Sequence, residues 1–598
     1  MGDDGATEHG GDAPQRPRGR ARRRGWRWAV AAAVLLVPLT LIALFAFDGY
    51  RILTSSSELQ ARSSAAVAAM HARDTAAFGA EAEAMEEAAR TFESATHGPH
   101  WWLASHVPWV EDQAVPLMAA GAAVGAVAQE AVAPLASLDD LDALAGPVFA
   151  DGRVDPSILE PYRDVLAGAS VALDEQSAAL ASVDLAGTVH AVREPFGDLA
   201  DQVDSLARLV DGAHLTAELL PTMLGGDGER RYLVVVQNNA EPRTTGGISG
   251  AFLELTVDDG RMSLGEYRAA RDLVVADGVA PLTADEERIY TDLMAIYPQD
   301  ANFTPEYPRA AELLSAFWQA GTGGDPVDGV VSVDPVVLGW MLEGAPVLET
   351  RGLAVSGANL SEVLLNEAYF LRDDPVAQDQ FFVATARELF GRIVSGQSSA
   401  VAGVERALES RRFLLWSAHP EEQELLAGTA AGGAFLESAD TIGVFLNDGS
   451  GSKIGYYVDT AVAVTDEVCL DGTVAGETLE VTLDQTFDGD PADLPAYVSG
   501  GGQFVPEGEF QANLIVYVAP GTRVASIEQD GKQKAATFDV HGGRSMLQMR
   551  VTLEPGGATT VTFALQTTDG PIDPADLIVT PGARDAAVSR TAVPAAGC

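Results

Sequence analysis

Hydrophobic and polar positions alternate with three different periods along this chain. Trp28 to Phe47, WAVAAAVLLVPLTLIALFAF, is twenty residues without a charge; as a helix it rises about 30 Å, the thickness of a bilayer's hydrocarbon core. From Ser57 to about Leu220 apolar residues recur at three and four residues. In PFGDLADQVDSLARLVDGAHLTAELL, Phe196, Leu199, Val203, Leu206 and either Leu209 or Val210 line one helical face. DTAAFGAEAEAMEEAARTFESA consists of strong helix formers, with Asp74 or Thr75 placed to cap it. Between these helices HGPHWWLASHVPWV is interrupted at Pro99 and Pro108. Its three tryptophans are expected in the core of a helical hairpin, with the lipid interface as the alternative. His97, His100 and His106 are expected as exposed loop residues, because no carboxylate pattern joins them into a metal site.

After the linker LGGDGERR the period changes. Tyr232 to Leu255 reads as strand, loop, strand, and VDGVVSVDPVVLGWMLEGAPVLE as a buried strand, a turn at Asp334-Pro335 and a short helix. Helices return near Asn359 and Gln378. Beyond Tyr456 short alternating segments are separated by Gly, Pro and Asp turns, the spacing of an antiparallel β-sandwich. The pattern predicts an α+β multidomain chain. A basic tail (1–27) precedes a transmembrane helix (28–47) and an α-helical stalk or bundle (48–225). A central α/β layer domain (230–453) and a C-terminal antiparallel β-sandwich (454–598) follow.

Charge gives this order a direction. The formal net charge is -48, which excludes a nucleic-acid partner because phosphate would be repelled. Yet seven arginines crowd Arg16 to Arg27, so residues 1–47 stand at +3 and the remainder at -51. Arginines beside an apolar span stay in the cytoplasm. No good cleavage site follows the span, so an uncleaved single-pass anchor in the cell membrane is expected, with the bulk of the chain extracytoplasmic. There are two cysteines, Cys469 and Cys598; outside the cytoplasm an even pair reads as one disulfide pinning the carboxyl end. No metal or cofactor is expected.

Candidate chemistry concentrates in YLVVVQNNAEPRTTGGISGAFLELTVDD. Asn238 and Asn239 end an apolar strand, Arg243 follows, and Gly246-Gly247 would let backbone N–H groups approach a ligand closely. Arg268, Arg271 and Asp272 follow on the next segment. Three guanidiniums near one sheet edge suit a phosphate or carboxylate. The equally weighted alternative is that they pair with nearby acids such as Glu241, Glu254 and Asp272. No hydrolase, zinc-protease or nucleotide-loop pattern is present.

YLVVVQNNAEPRTTGG, NFTPEYPRAAELLSAFWQAGTG, VDGVVSVDPVVLGWMLEGAPV and NDGSGSKIGYYVD, in that order over about Tyr232 to Asp459, resemble the bacterial family called domain of unknown function 4012. The resemblance implies no reaction. The order of strand, arginine loop, strand, Arg-Asp is also similar to the LytR-CpsA-Psr envelope proteins, which transfer glycopolymers from a polyprenyl-pyrophosphate carrier to the cell wall. That similarity implies that Arg243, and Arg271 with Asp272, face a pyrophosphate. The magnesium-holding aspartates of that family have no counterpart here, where Asn238, Asn239 and Gly247 stand instead. Two functions are therefore carried forward. One is an anchored envelope protein that binds or transfers a phosphate-bearing glycan, such as a polyprenyl-pyrophosphate-linked glycan or cell-wall polymer. The other is a non-catalytic cell-surface binding or structural module.

Overall fold

The computed structural model describes residues 21–72, 74–138, 149, 152–350, 352–371, 374–398, 400–438, 440–469, 472–568 and 570–596. The fold is α+β, with a helical amino-terminal region and several sheets. It divides into two compact units: the described residues of Met1–Leu141 with Val165–Asp211, and those of Asp142–Asp164 with Gly212–Cys598.

The first unit is helical. It contains α1 (Ala21–His71), α2 (Thr75–Thr96), α3 (Pro99–Ala104) and α4 (Glu111–Ala126). A π-helical turn at Val127–Val132 joins α4 to α5 (Ala133–Ala136); α6 (Arg163–Ala181) and α7 (His190–Met223) belong largely to the same unit. The expected span 28–47 lies inside α1, while residues 1–20 of the basic tail lie outside the described residues. Asp74 caps α2, its carboxylate accepting the Ala77 N–H at 3.0 Å. On α7 Phe196, Val203 and Val210 are buried and Leu209 is exposed, so Val210 completes the face. α2 runs back along α1, with Arg62 bonded to Glu81 at 3.1 Å and Arg51 reaching Ser94 at 2.5 Å. α4 then packs against α2 so closely that a methyl on Gly121 would strike Thr96 and one on Gly125 would strike Glu93. Among the described residues one helical run, Glu111–Ala136, is long and apolar enough to cross a membrane, and 39% of its apolar window is buried.

The tryptophan hairpin differs from expectation. Trp101 is buried, but Trp102 and Trp109 are exposed, because the turn leaves only one indole facing α1. His100 is an internal partner, its Nε2 lying 2.6 Å from the Asp48 carboxylate.

The second unit holds the sheets. β1 (Arg230–Arg243), β2 (Gly246–Asp258), β3 (Arg261–Ala269), β4 (Gly329–Val333) and β7 (Leu414–Ser417) form one sheet in the order β3-β2-β1-β4-β7; β5 (Leu348–Thr350) and β6 (Leu353–Val355) pair separately. β1 and β4 are parallel and the other pairs antiparallel. Asp334 caps the helix after β4 by accepting the Val337 N–H at 2.9 Å, with Pro335 in its first turn, where a missing N–H costs nothing. Helix Tyr307–Thr322 covers one face with Leu314, Phe317 and Trp318 against Leu233, Val235 and Phe252. Val337 and Ala407 cover the other face beside Val333.

β8 (Thr441–Asp448) opens the remaining sheets. It is followed by β9 (Val458–Val468), β10 (Val474–Gln485), β11 (Phe510–Tyr517), β12 (Thr522–Gln529), β13 (Lys532–Gln533) and β14 (Thr537–His541). β15 (Arg544–Leu553), β16 (Ala558–Thr567), β17 (Asp576–Val579) and β18 (Ala587–Pro594) complete them. Their orders are β13-β12-β16-β10-β9-β18 and β14-β15-β11-β8-β17. Val444, Leu514, Val516 and Leu547 from one sheet meet Val464, Leu479, Val481 and Phe563 from the other in one core. The opposite face of the β8 sheet gives Phe445, Ile515, Tyr517 and Met546 to the core of the first sheet. β8 is consequently buried at every position. β17 and β18 pair in parallel with β8 and β9, where antiparallel pairing was expected. After β16 the chain crosses from one sheet to the edge of the other and back, and such crossovers give parallel neighbours.

Candidate functional site

β1 continues to Arg243, where a strand end was expected at Asn238 and Asn239; its register with β2 shifts between Asn238 and Pro242, and its last residues fold into a buried polar knot. Arg243 is buried; its guanidinium donates to Glu241 at 3.2 Å and to the Pro242 carbonyl at 3.0 Å, and lies 3.6 Å from Asp300. The Phe303 ring lies 5.0 Å beneath it. Lys453, also buried, pairs directly with the second oxygen of Glu241. Asp448 is buried nearby, accepting from Ser450 Oγ at 2.5 Å and from the Gly451 N–H at 2.8 Å. Three carboxylates and two cations thus share one largely buried site.

The charges respond to that burial in opposite senses. Burial alone would raise the Glu241 carboxyl, but Lys453 and Arg243 outweigh it and hold it below its usual value. Burial likewise disfavours a charged Lys453, and the Glu241 carboxylate more than reverses this. Asp300 is pushed up to about 6 by burial, Arg243 opposing only in part. Burial and the neighbouring Glu241 charge push Asp448 up to about 6.

The other residues of the loop are engaged internally. Asn238 Nδ2 donates to the Tyr369 hydroxyl at 2.7 Å and Asn239 Nδ2 to the Pro581 carbonyl at 3.1 Å. The Thr244 N–H goes to Asn447 Oδ1 at 3.0 Å and the Gly247 N–H to Gln237 Oε1 at 3.0 Å. Gly246 has φ +139°, and an added methyl on Gly247 would run into the Asn238 carbonyl. The glycine pair therefore permits the close β1–β2 turn, and the Gly247 N–H is already used. Arg243 Nε and Asn239 Oδ1 are buried without a hydrogen bond.

Arg268 and Arg271 do not join Arg243. Arg268 pairs with Glu266, Arg271 with Asp379, and Asp272 accepts the Ala269 N–H at 3.3 Å. In register Arg243 faces Gly246, whereas Arg268 faces Phe252, six residues along β2, about 20 Å at strand rise. Among the described residues no group of three His, Cys, Asp or Glu is placed to hold a metal ion. Lys453, Asp300 and Asp448 are the members that reading the loop alone misses. A signal was present: Lys453 is one of three lysines in the chain, and it sits in NDGSGSKIGYYVD. Cys469 is buried at the end of β9; Cys598 lies outside the described residues.

Residues 227–369 match the family described as protein of unknown function (DUF4012), so the resemblance read from the motifs holds over this segment. The segment carries Glu241, Arg243, Asp300 and Tyr369, while Asp448 and Lys453 lie beyond it. The similarity to the LytR-CpsA-Psr proteins is not shown. No curated protein and no solved structure matches the chain.

Proposed function

We propose that this chain, a DUF4012 protein over residues 227–369, is a single-pass membrane-anchored protein of the cell envelope whose extracytoplasmic part is a non-catalytic binding or structural module. The carrying observation is the placement of Arg243, buried between Glu241, Asp300 and the Phe303 ring. A guanidinium so held fixes the β1–β2 turn against the segment Pro298–Phe303, and Glu241, bonded to the same guanidinium, ties the turn to Lys453 after β8. Capture of a pyrophosphate would need Arg243, Arg268 and Arg271 to face one anion; each has its own carboxylate instead. The anchor rests on the charge-free span 28–47 and the arginines before it. A Cys469–Cys598 disulfide would complete the module by tying its tail to β9.

Replacing Arg243 by Ala separates the two functions. The module reading expects a domain destabilised by about 3–5 kcal/mol, because Glu241 and Asp300 lose a buried partner. It also expects no binding of an undecaprenyl-pyrophosphate analogue by the unaltered protein in isothermal titration. Wild-type binding that disappears in R243A at unchanged melting temperature would restore the glycan-carrier reading.

A further inference from the structure

The membrane-proximal end of the helical unit carries apolar surface that nothing in that unit covers. α1 leaves the expected span at Phe47, and α2 returns along it, so the turn after Thr96 comes back to the level of the span's end. Asp48 fastens that turn to α1: its carboxylate takes His100 Nε2 at 2.6 Å and the Trp101 indole N–H at 3.3 Å. Phe45 packs edge-on against both rings, each at 5.1 Å between centroids. The turn is thus clamped beside the last helical turn of the apolar stretch, within about 10 Å of it along the axis.

On the outside of this clamp Trp109 is 86% exposed and Trp102 60%, beside Leu103, Val107 and Val110. Trp109 is held at φ +69°, and Trp102 lies over His106 with ring centroids 4.5 Å apart. On α1 itself Phe47 and Tyr50 are exposed at the same level. From His97 to Val110 there is no acidic side chain, in an exported region of charge -51. An indole is most stable where hydrocarbon gives way to headgroups, its ring in the apolar layer and its N–H wet.

We infer that the turn Gly98–Val110 is a second membrane contact, with Trp102 and Trp109 seated in the outer-leaflet headgroup layer around the anchor. The occupant is the lipid surface that α1 itself enters, so the patch continues the apolar flank of the span. One helix alone leaves an ectodomain free to swing and rotate. Two indoles gripping the interface beside it would fix the tilt of the helical unit on the bilayer. This inference rests on the anchor reading above.

The test uses the full-length protein in phosphatidylcholine–phosphatidylglycerol vesicles whose acyl chains are brominated near the glycerol, reading tryptophan quenching. Trp26 and Trp28, at the cytoplasmic end of the span, report on the anchor independently. Protein carrying W26F and W28F should remain quenched by bromolipid, and the further changes W102F and W109F should abolish that component. W102F/W109F alone should keep the Trp26/Trp28 component. If W26F/W28F protein is no more quenched than the fourfold variant while W102F/W109F protein is still quenched, the anchor stands and the inference is overturned. Quenching lost from both pairs overturns both readings. A dimer that dissociates on W102F/W109F, without bromolipid quenching of that pair, would assign the patch to a second copy and overturn the lipid contact.

Discussion

Lys453→Met tests the buried knot directly. Methionine keeps an unbranched side chain of similar length and removes the charge together with the N–H donors that reach Glu241. Lys453 and Glu241 are both buried and paired, and Arg243 is the other cation at the site. Without Lys453, one guanidinium must serve Glu241, Asp300 and Asp448. Breaking a buried pair from one side costs about 3–5 kcal/mol, because the remaining charge is left in a dry site. That is a large fraction of the roughly 5–15 kcal/mol that holds a typical domain together. The expected loss in melting temperature is on the order of 5–10 °C. Glu241→Gln should cost a similar amount, since it strands Lys453. The double variant E241Q/K453M should cost less than the two added, with a coupling of up to about 3 kcal/mol. The assay is thermal unfolding of the full-length protein in detergent, followed by the fluorescence of Trp318, Trp340 and Trp416 in the sheet-bearing unit. Single variants that melt within about 1 °C of wild type would refute the reasoning, as would strict additivity in the cycle.

Two other outcomes follow from the same geometry. Asp300, pushed up to about 6 by burial, contributes stability that is present below its ordinary pKa and lost as pH rises through about 6. The wild type should therefore gain about 1–1.5 kcal/mol between pH 7.5 and 5 relative to Asp300→Asn, in urea titrations at each pH; equal slopes in the two proteins would sink this. His541, lowered by burial, acts in the opposite sense, and the comparison with D300N cancels it. β18 runs parallel to β9 as far as Pro594, which lies opposite Val468, the residue before Cys469. A Cys469–Cys598 bond closing a loop of about 130 residues should add a few kcal/mol, and a non-reducing peptide map of envelope-extracted protein that finds both thiols free would remove it.

What could be read from sequence was local. The strand, Asp334-Pro335 turn and short helix are as the pattern predicts, because cap and proline act within four residues. The α7 face was legible because helical period alone decides it. Partners far apart in sequence were not legible. Glu241 and Lys453 meet across 212 positions, and nothing near either residue names the other. Nor does period tell which neighbour an apolar side chain meets: three tryptophans were expected in a hairpin core, and two of them face outward. The parallel returns of β17 and β18 depend on crossovers between sheets, which alternation within a strand does not encode.

The arginine and its two glycines serve the same end. Gly246 and Gly247 let β1 and β2 close so tightly that Gln237 reaches the Gly247 N–H. The closed turn carries Glu241 and Arg243 inward, toward the segment Pro298–Phe303 and the residues just after β8. Two sheets and a connecting helical turn therefore meet at one set of charges. An apolar plug of equal volume would hold them about as firmly. It would be indifferent to small shifts of one sheet over another, whereas Glu241 bonded on one oxygen by Lys453 and on the other by Arg243 has one position. Three separated motifs, NNAEPRTTGG, PQDANFTPEYP and NDGSGSK, supply that constellation. The joint they build gives the arginine and the glycine pair a structural role.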